Sequence, residues 1–473
     1  MSDVNAADLD RALIEIDRAI GDGRVIRDAD VRDAYSHDES ETPRTRPDAV
    51  IRAQTTQEVS AILASANRHR IPVTPRAAGT GRTGGAVPVA GGILLSLEGM
   101  NSVRGIERED LMMVTGPGVV TGELHRLVEA ESLFYPPDPN SLASCQLGGN
   151  IAENAGGPRA FKYGVTRDYV LGLEVVIADG TILRLGKNTV KGVTGYDLTS
   201  LLVGSEGTLG VVTQATLRLV PLPDAVVTCM VLLPDVATAG RTVSALVARR
   251  MVPRCLELLD RNTLDILRPQ ASLPIDERAG AMLIIELDGP EDSLERQLEQ
   301  LGNTCEDLGA IEVLVARHGS DRERLWAARR ELSRALRRCA KYKLSEDVVV
   351  PRSRVPALLD RVALLSENHQ VRMPTYGHAG DGNLHVNFLW NDADERPRVD
   401  AAIEGLFRAV IEMGGTLSGE HGIGVLKAPF LPIEQSPALI GLQERIKDTF
   451  DPNGILNPGK IFPNAAARFH RAC

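Results

Sequence analysis

Pro75-Arg-Ala-Ala-Gly-Thr-Gly-Arg-Thr-Gly-Gly-Ala-Val-Pro-Val-Ala-Gly-Gly92 is the stretch whose reading decides the fold. Gly79, Gly81 and Gly84 spell GxGxxG, the spacing of a dinucleotide loop in a Rossmann unit. That unit needs a helix straight after the glycines, with the pyrophosphate on its N-terminus. Here Ala86-Val-Pro-Val-Ala-Gly-Gly92 follows, where proline and glycine oppose a helix. The Rossmann reading is therefore rejected. What remains is a run of backbone N–H groups with little side-chain bulk, which suits a pyrophosphate. A plain surface loop is the alternative at this point.

Working outward, the flanking patterns mix helices and strands. Ala6 to Ile20 reads as an amphipathic helix, Ala49 to Arg52 as a strand and Thr56 to His69 as a helix. Gly92 to Leu97 and Leu111 to Thr115 read as strands, and Gly122 to Ala130 as a helix. A second stretch dense in glycine and asparagine runs from Ser144 to Gly157, and again lets a ligand approach the backbone. Leu171 to Ile177 and Thr181 to Leu185 read as a hairpin about Ala178-Asp-Gly180. Gly204-Ser-Glu-Gly-Thr-Leu-Gly210 is a further small-residue turn before a strand ending at Leu219.

Pro221-Leu-Pro-Asp224 marks a domain boundary. Beyond it, Met282 to Leu287 and Ile311 to Val315 read as strands. Ser293 to Leu308, Asp321 to Arg338, Pro356 to Glu367 and Arg398 to Met413 read as helices. The expected fold class is α+β. The expected domains are residues 1–222, 223–425 and a turn-rich 426–473, the first divided into 1–112 and 113–222.

The second domain carries Tyr376-Gly-His-Ala-Gly-Asp-Gly-Asn-Leu-His-Val-Asn387, with two of the nine histidines. Gly380-Asp-Gly-Asn383 reads as a tight turn and Leu384 to Phe388 as a strand, with His385 and Asn387 on one face. If the turn folds back, His378 approaches that face. Ser418-Gly-Glu-His-Gly422 adds Glu420 and a third imidazole, His421. Two histidines and a glutamate make a borderline N/O metal site with room left for water or substrate. His37, His69, His125, His318, His369 and His470 read as ordinary surface or packing residues.

Composition narrows the class. The 473-residue chain is 43% hydrophobic and carries a net charge of −10, which argues against nucleic acid as the main partner. No apolar run is long enough to span a membrane, and the acidic N-terminus is unlike a signal peptide. The cysteines at 145, 229, 255, 305, 339 and 473 contain no CxxC pair, as expected of free thiols in a reducing cytosol. No iron–sulfur or haem pattern is present in the sequence.

Pro75–Pro88, Cys145–Gly157, Gly204–Gly210, Gly377–His385, Gly419–Gly422 and Asn457-Pro-Gly-Lys460 occur together and in order. On these motifs the chain resembles the flavin-dependent D-2-hydroxy acid dehydrogenases, which include D-lactate dehydrogenases, glycolate oxidase catalytic subunits and D-2-hydroxyglutarate dehydrogenases. Their fold is of the vanillyl-alcohol-oxidase type, and the resemblance runs from about Arg44 to Phe462. It implies FAD between two α+β subdomains, with a substrate cap beyond them. It assigns the cofactor to Arg76, Ala78, Gly79, Thr80, Gly81, Arg82, Thr83, Gly84 and Gly85 around the pyrophosphate. Pro137, Asp138, Ser144, Gly148, Gly149, Asn150, Asn154 and Gly157 would line the rest, with Glu206, Gly207 and Val211 near the adenosine or ribityl portion. Asn457 and Lys460 would close the flavin site. The loop Ala78–Gly85 lacks histidine, so FAD is expected to be non-covalent.

The resemblance also implies that His378, His385 and Glu420 hold a divalent metal, with Asn387 beside them, that His421 is the base and that Arg329 grips the substrate carboxylate. Zinc is expected first, with manganese or iron also suited to this ligand set. One departure concerns substrate length. Relatives acting on hydroxyglutarate carry a lysine where Ser345 stands here, and Lys343 is displaced by two positions, roughly 7 Å along a strand. A shorter acid such as D-lactate is favoured, with glycolate or D-2-hydroxyglutarate as alternatives.

Such a reaction removes a proton from O–H and a hydride from C2. A metal lowers the alcohol pKa, an imidazole takes the proton, and a guanidinium fork matches a carboxylate. The electrons leave to an external acceptor: a quinone, a cytochrome or an electron-transfer flavoprotein. The expected location is cytoplasmic, with peripheral membrane attachment and a homodimer left open. A different class, a metal-dependent hydrolase with a nucleotide-binding regulatory half, uses the same three ligands. A catalytically silent flavin-binding subunit would be expected to lack His421 or the histidine pair, and all are present.

Overall fold

The computed structural model describes residues 5–21, 23–269, 275–316 and 318–463. His470 and Cys473 lie outside them. The chain forms two compact units: residues 1–155, 165–222 and 420–473 make the first, and residues 156–164 and 223–419 the second. The divisions fall at Leu222/Pro223 and Gly419/Glu420, so the second unit stops short of 425 and takes in the short excursion 156–164.

The first unit holds a four-stranded sheet in the order 25–26, 49–52, 93–96, 73–76, whose last three strands are parallel. Thr56–His69 connects two of them. Thr55 caps it by accepting from Glu58 N, and Arg70 ends it in the left-handed region. Its face of Val59, Ile62, Leu63 and Ala66 packs with Ala12, Leu13 and Ile16 of the helix Ala6–Ile20 and with Ile51, Ile93 and Leu95 of the sheet. Leu456 of the C-terminal segment bridges in parallel to Val73, and Ile455 and Leu456 join the same core. A five-stranded antiparallel sheet follows, ordered 103–107, 112–115, 211–218, 170–176, 182–186. Val103–Glu107 is a strand not anticipated from the sequence, and it pairs with Met112–Thr115. Val103–Glu107 is thus the edge strand of the five-stranded sheet.

The second unit is built on a seven-stranded antiparallel sheet, ordered 312–316, 225–233, 281–289, 255–260, 375–378, 383–390, 342–349. Register places chemistry on one face. Glu257 lies opposite His378, Tyr376 opposite His385, and His385 opposite Asp347. Because side chains alternate along a strand, Glu257, His378, His385, Asn387 and Asp347 all project to that face. Leu325, Leu332, Ala335 and Leu336 of the helix Gly319–Arg338 share one core cluster with Leu259, Ile284, Tyr376 and Leu389 of the sheet.

Among the described residues no helix is long and apolar enough to cross a membrane. Cys145, Cys229, Cys255, Cys305 and Cys339 are free thiols.

Candidate functional site

In the first unit the glycine-rich loop at 78–85 meets the second glycine-rich stretch. A Cβ placed on Gly149 would meet only the Ala77 methyl, at 3.8 Å, and one on Gly81 would meet only Asp38 Oδ2 and Glu153 Oε1, at 3.7 and 4.0 Å. Gly81 and Gly149 thus have no side-chain atom nearer than ordinary contact, whereas a Cβ on Gly79, Gly84, Gly85 or Gly148 would fall within 3 Å of a neighbour. Asn457 Nδ2 donates to Gly85 O at 2.9 Å and to Glu206 O at 2.7 Å, and Lys460 Nζ donates to Val87 O at 2.8 Å. The C-terminal pair therefore fixes the loop itself. Arg76 Nη1 donates to His37 O at 2.5 Å, and the guanidinium lies over the Tyr35 ring.

The segment after Glu420 is fastened to the same loop. Thr83 Oγ1 donates to His421 O at 3.0 Å, and Val425 N donates to Thr83 O at 2.8 Å. Glu206 accepts from Ile423 N and Gly424 N, both at 2.8 Å. Gly422 has φ +77°, and a Cβ there would fall 2.1 Å from Glu153 Oε2 and 3.0 Å from Glu206 Oε1, so only glycine fits. Burial pushes Glu206 upward, and the two backbone donors oppose that. Burial and the neighbouring Glu206 and Asp38 carboxylates raise Glu153 well above its usual range. Burial lowers Lys460 to about 7, against the pull of Glu206 and Asp38.

Other residues assigned to the cofactor are placed less directly. Asn150 Nδ2 donates to Thr121 Oγ1 at 2.6 Å, and Asn154 Oδ1 accepts from Arg167 N at 2.9 Å, so both side chains brace their own segment. The Val211 side chain belongs to the core. Ser144 is exposed, and Gly157 goes with the second unit. His125 is buried against the Pro137 carbonyl, a packing role as read from the sequence.

In the second unit the hairpin Thr375–His378 and Asn383–Trp390 brings the two imidazoles together. The His378 and His385 rings are 5.4 Å apart between centroids and nearly perpendicular. The turn holds because Gly382 has φ +88°, where a Cβ would fall 1.9 Å from Val350 O. His378 Nδ1 is hydrogen-bonded to Glu257 Oε1, and His385 Nδ1 lies 3.9 Å from Asp347 Oδ1. An ionised carboxylate only accepts, so Nδ1 of His378 carries a proton, and Nε2 is the ring atom that would face a metal. A histidine donating one ring N–H to a carboxylate is the usual arrangement behind a metal ligand, so the donor set fits a divalent ion. Asp347 also accepts from Gly419 N at 2.9 Å and Ser418 Oγ at 3.0 Å, which fixes the chain immediately before Glu420.

Asn387 is fully buried. Its Nδ2 donates to Pro374 O and His385 O, while Oδ1 has no hydrogen-bond partner among the described residues. Arg329 is 6% exposed, which sets it apart from the solvated arginines of its helix. Its Nε donates to Glu257 Oε2 at 2.7 Å, and its guanidinium lies 4.6 Å from the centre of the Tyr376 ring. Burial alone would raise Glu257; His378 first and then Arg329 bring it down to about 2. Lys343 Nζ donates to Ser333 Oγ at 3.0 Å, and Ser345 lies opposite Asn387.

Sequence reading passed over Glu153 and Glu257. A signal existed for the latter: it is the one charged residue in Cys255-Leu-Glu-Leu-Leu259, and a charge in a buried strand needs a partner.

Residues 47–186 match the family described as FAD binding domain, and residues 222–461 match FAD linked oxidases, C-terminal domain. The chain belongs to the FAD-linked oxidases. It is 42% identical to glycolate oxidase subunit GlcD of Bacillus subtilis, over 92% of this chain and 93% of that protein. It is 36% identical to D-lactate dehydrogenase of Anaerostipes hadrus (95% and 97% covered) and 32% identical to D-2-hydroxyglutarate dehydrogenase of Stutzerimonas stutzeri (96% and 99%). The fold matches p-cresol methylhydroxylase with a TM-score of 0.80 at 18% identity, covering 97% and 98% of the two chains. It also matches 4-ethylphenol oxidase of Gulosibacter chungangensis with a TM-score of 0.79 at 23% identity, covering 98% and 99%. This is the vanillyl-alcohol-oxidase-type fold, and membership of an FAD-binding oxidase family sets the hydrolase reading aside.

Proposed function

We propose that the protein oxidises a short D-2-hydroxy acid, D-lactate first, to the 2-oxo acid, with non-covalent FAD and a divalent metal held by His378, His385 and Glu420. Relatives named for lactate, glycolate and hydroxyglutarate support the substrate class. One observation carries the preference for a short acid. The residue across from Asn387 is Ser345, a hydroxyl, and the strand's lysine, Lys343, is turned to Ser333. A second carboxylate finds no ammonium at that position.

In this reading Arg329 holds the substrate carboxylate through Nη1 and Nη2, the edge left outside its bond to Glu257. Asn387 Oδ1 accepts a hydrogen bond from the substrate side. His421 takes the hydroxyl proton, and its fastened backbone keeps the ring in place. Bound metal supplies a Lewis acid that lowers the hydroxyl pKa. Bound FAD supplies the two-electron acceptor, which an external quinone, cytochrome or electron-transfer flavoprotein re-oxidises.

Anaerobic flavin bleaching with D- and L-lactate, glycolate, D-2-hydroxyglutarate and D-malate, with and without chelator, tests all of this. The expected outcome is fastest bleaching by D-lactate and strong inhibition by chelation. Bleaching by the best substrate that survives metal removal overturns the metal role; fastest bleaching by hydroxyglutarate overturns the preference for a short acid.

A further inference from the structure

Glu257 is fully buried in the centre of the sheet, and its two oxygens are divided. Oε1 accepts from Nδ1 of His378 on the adjacent strand. Oε2 accepts from Nε of Arg329, 2.7 Å away on the covering helix. In each partner the bonded atom is not the working atom. The imidazole is held by Nδ1, which leaves Nε2 for a metal, and the guanidinium by Nε, which leaves the Nη1/Nη2 fork for a carboxylate. The Tyr376 ring beneath Arg329 confines the guanidinium further. A buried carboxylate needs one counter-charge to be tolerable; here it engages two groups from different elements, each in a defined orientation.

We propose that Glu257 is a positioning residue that sets the His378 ring and the Arg329 fork relative to each other, and so holds metal and substrate carboxylate in fixed register. This rests on the metal and carboxylate roles proposed above. The side chain touches neither metal nor substrate. Its effect is to fix a tautomer and two orientations, so that a 2-hydroxy acid meets both its hydroxyl-side and its carboxylate-side partners at one spacing. Gln at this position has a single acceptor oxygen, and its NH2 faces one of the two N–H donors. One partner is then left unbonded, and the bond to the other loses its charge assistance. Asp keeps both acceptors and the charge but is one methylene shorter.

The test compares wild type, Glu257→Gln, Glu257→Asp and His378→Ala as flavin-loaded proteins. Zinc affinity is read by competition with a chromogenic chelator, and kcat and KM are measured with D-lactate. Thermal midpoint and flavin absorbance report folding. The expected result for E257Q is zinc binding weakened about 10- to 100-fold, the range for loss of a carboxylate behind a metal-bound histidine. KM should rise about tenfold or more as one charge-assisted bond to Arg329 loosens. E257D should recover part of both effects. A zinc affinity or a KM within twofold of wild type in E257Q overturns the bridging role, since one carboxylate serving two groups must move both. If E257Q does not fold, E257D carries the comparison, and wild-type values for both quantities overturn the proposal. Zinc binding by H378A equal to wild type, or none by wild type, overturns the metal reading itself and this inference with it.

Discussion

Thr83 Oγ1 donates to the backbone carbonyl of His421 at 3.0 Å, which ties the candidate base to the candidate cofactor loop inside one unit. The bond involves no atom of the imidazole, so it acts on placement. Thr83→Val keeps the shape and removes the donor. The expected outcome is a loss of about 1 kcal/mol of stability, with kcat reduced more than KM. Steady-state kinetics with a thermal melt checks it, and a KM-only effect would speak against this placement role.

Glu206 holds Ile423 and Gly424 by their backbone N–H groups. Glu206→Gln sets an NH2 against one of those donors. A buried group left unsatisfied costs about 1–3 kcal/mol, so the melting midpoint should fall by several degrees and flavin retention on gel filtration should drop. Wild-type midpoint and retention would show that the carboxylate is not holding Ile423 and Gly424.

His421→Ala removes the proposed base. Single-turnover flavin bleaching by D-lactate should slow about 10²- to 10⁴-fold, the usual contribution of a positioned base. Flavin content should be unchanged, because the bonds from Thr83 and Glu206 to this segment are made to its backbone. Bleaching within threefold of wild type would assign the proton to another group.

Ser345→Lys places an ammonium across from Asn387. The ratio of kcat/KM for D-2-hydroxyglutarate over D-lactate should rise about tenfold, as one exposed-to-buried charge pair allows. An unchanged ratio means that chain length is read elsewhere.

Asp260 caps the helix Arg261–Leu267 by accepting from Thr263 N, and burial raises it to about 6 despite that bond. A raised carboxyl stabilises the fold fully below its ordinary range near 4, and that contribution is lost as pH rises through 6. At neutral pH the side chain is ionised at a cost. Asp260→Asn keeps a capping oxygen without the charge. It should be more stable than wild type at pH 7–8 by up to about 3 kcal/mol, with the advantage vanishing below pH 4. A pH-independent difference in melting midpoint would contradict this assignment.

Much of the architecture is legible in the chain because its signals are local. Thr55 before an amphipathic run and Arg70 after it bound the helix Thr56–His69 at both ends. The turn at Gly380–Gly382 lies between the two histidines it joins, so their meeting follows from period-2 alternation and a tight reversal. Val103–Glu107 escaped because Gly105 sits at a register shift with the neighbouring strand, which hides the alternation. Glu257 escaped for a different reason. Its partners come from a helix and a strand far along the chain, and such pairing is a property of packing, not of pattern.

The first unit is written in the chain as three segments, with nearly all of the second unit between the last two. A ribosome therefore exposes residues 223–419 before it has made the segment that bridges to Val73 through Leu456. Domains fold as units while synthesis proceeds, so the antiparallel sheet can form on the growing chain while the parallel sheet still waits for its seal. The cofactor loop, held by Asn457 and Lys460, reaches its final form only after residues 457–460 have been made. The unit begun first is closed by a segment made after the second unit, and capture of flavin waits for that segment.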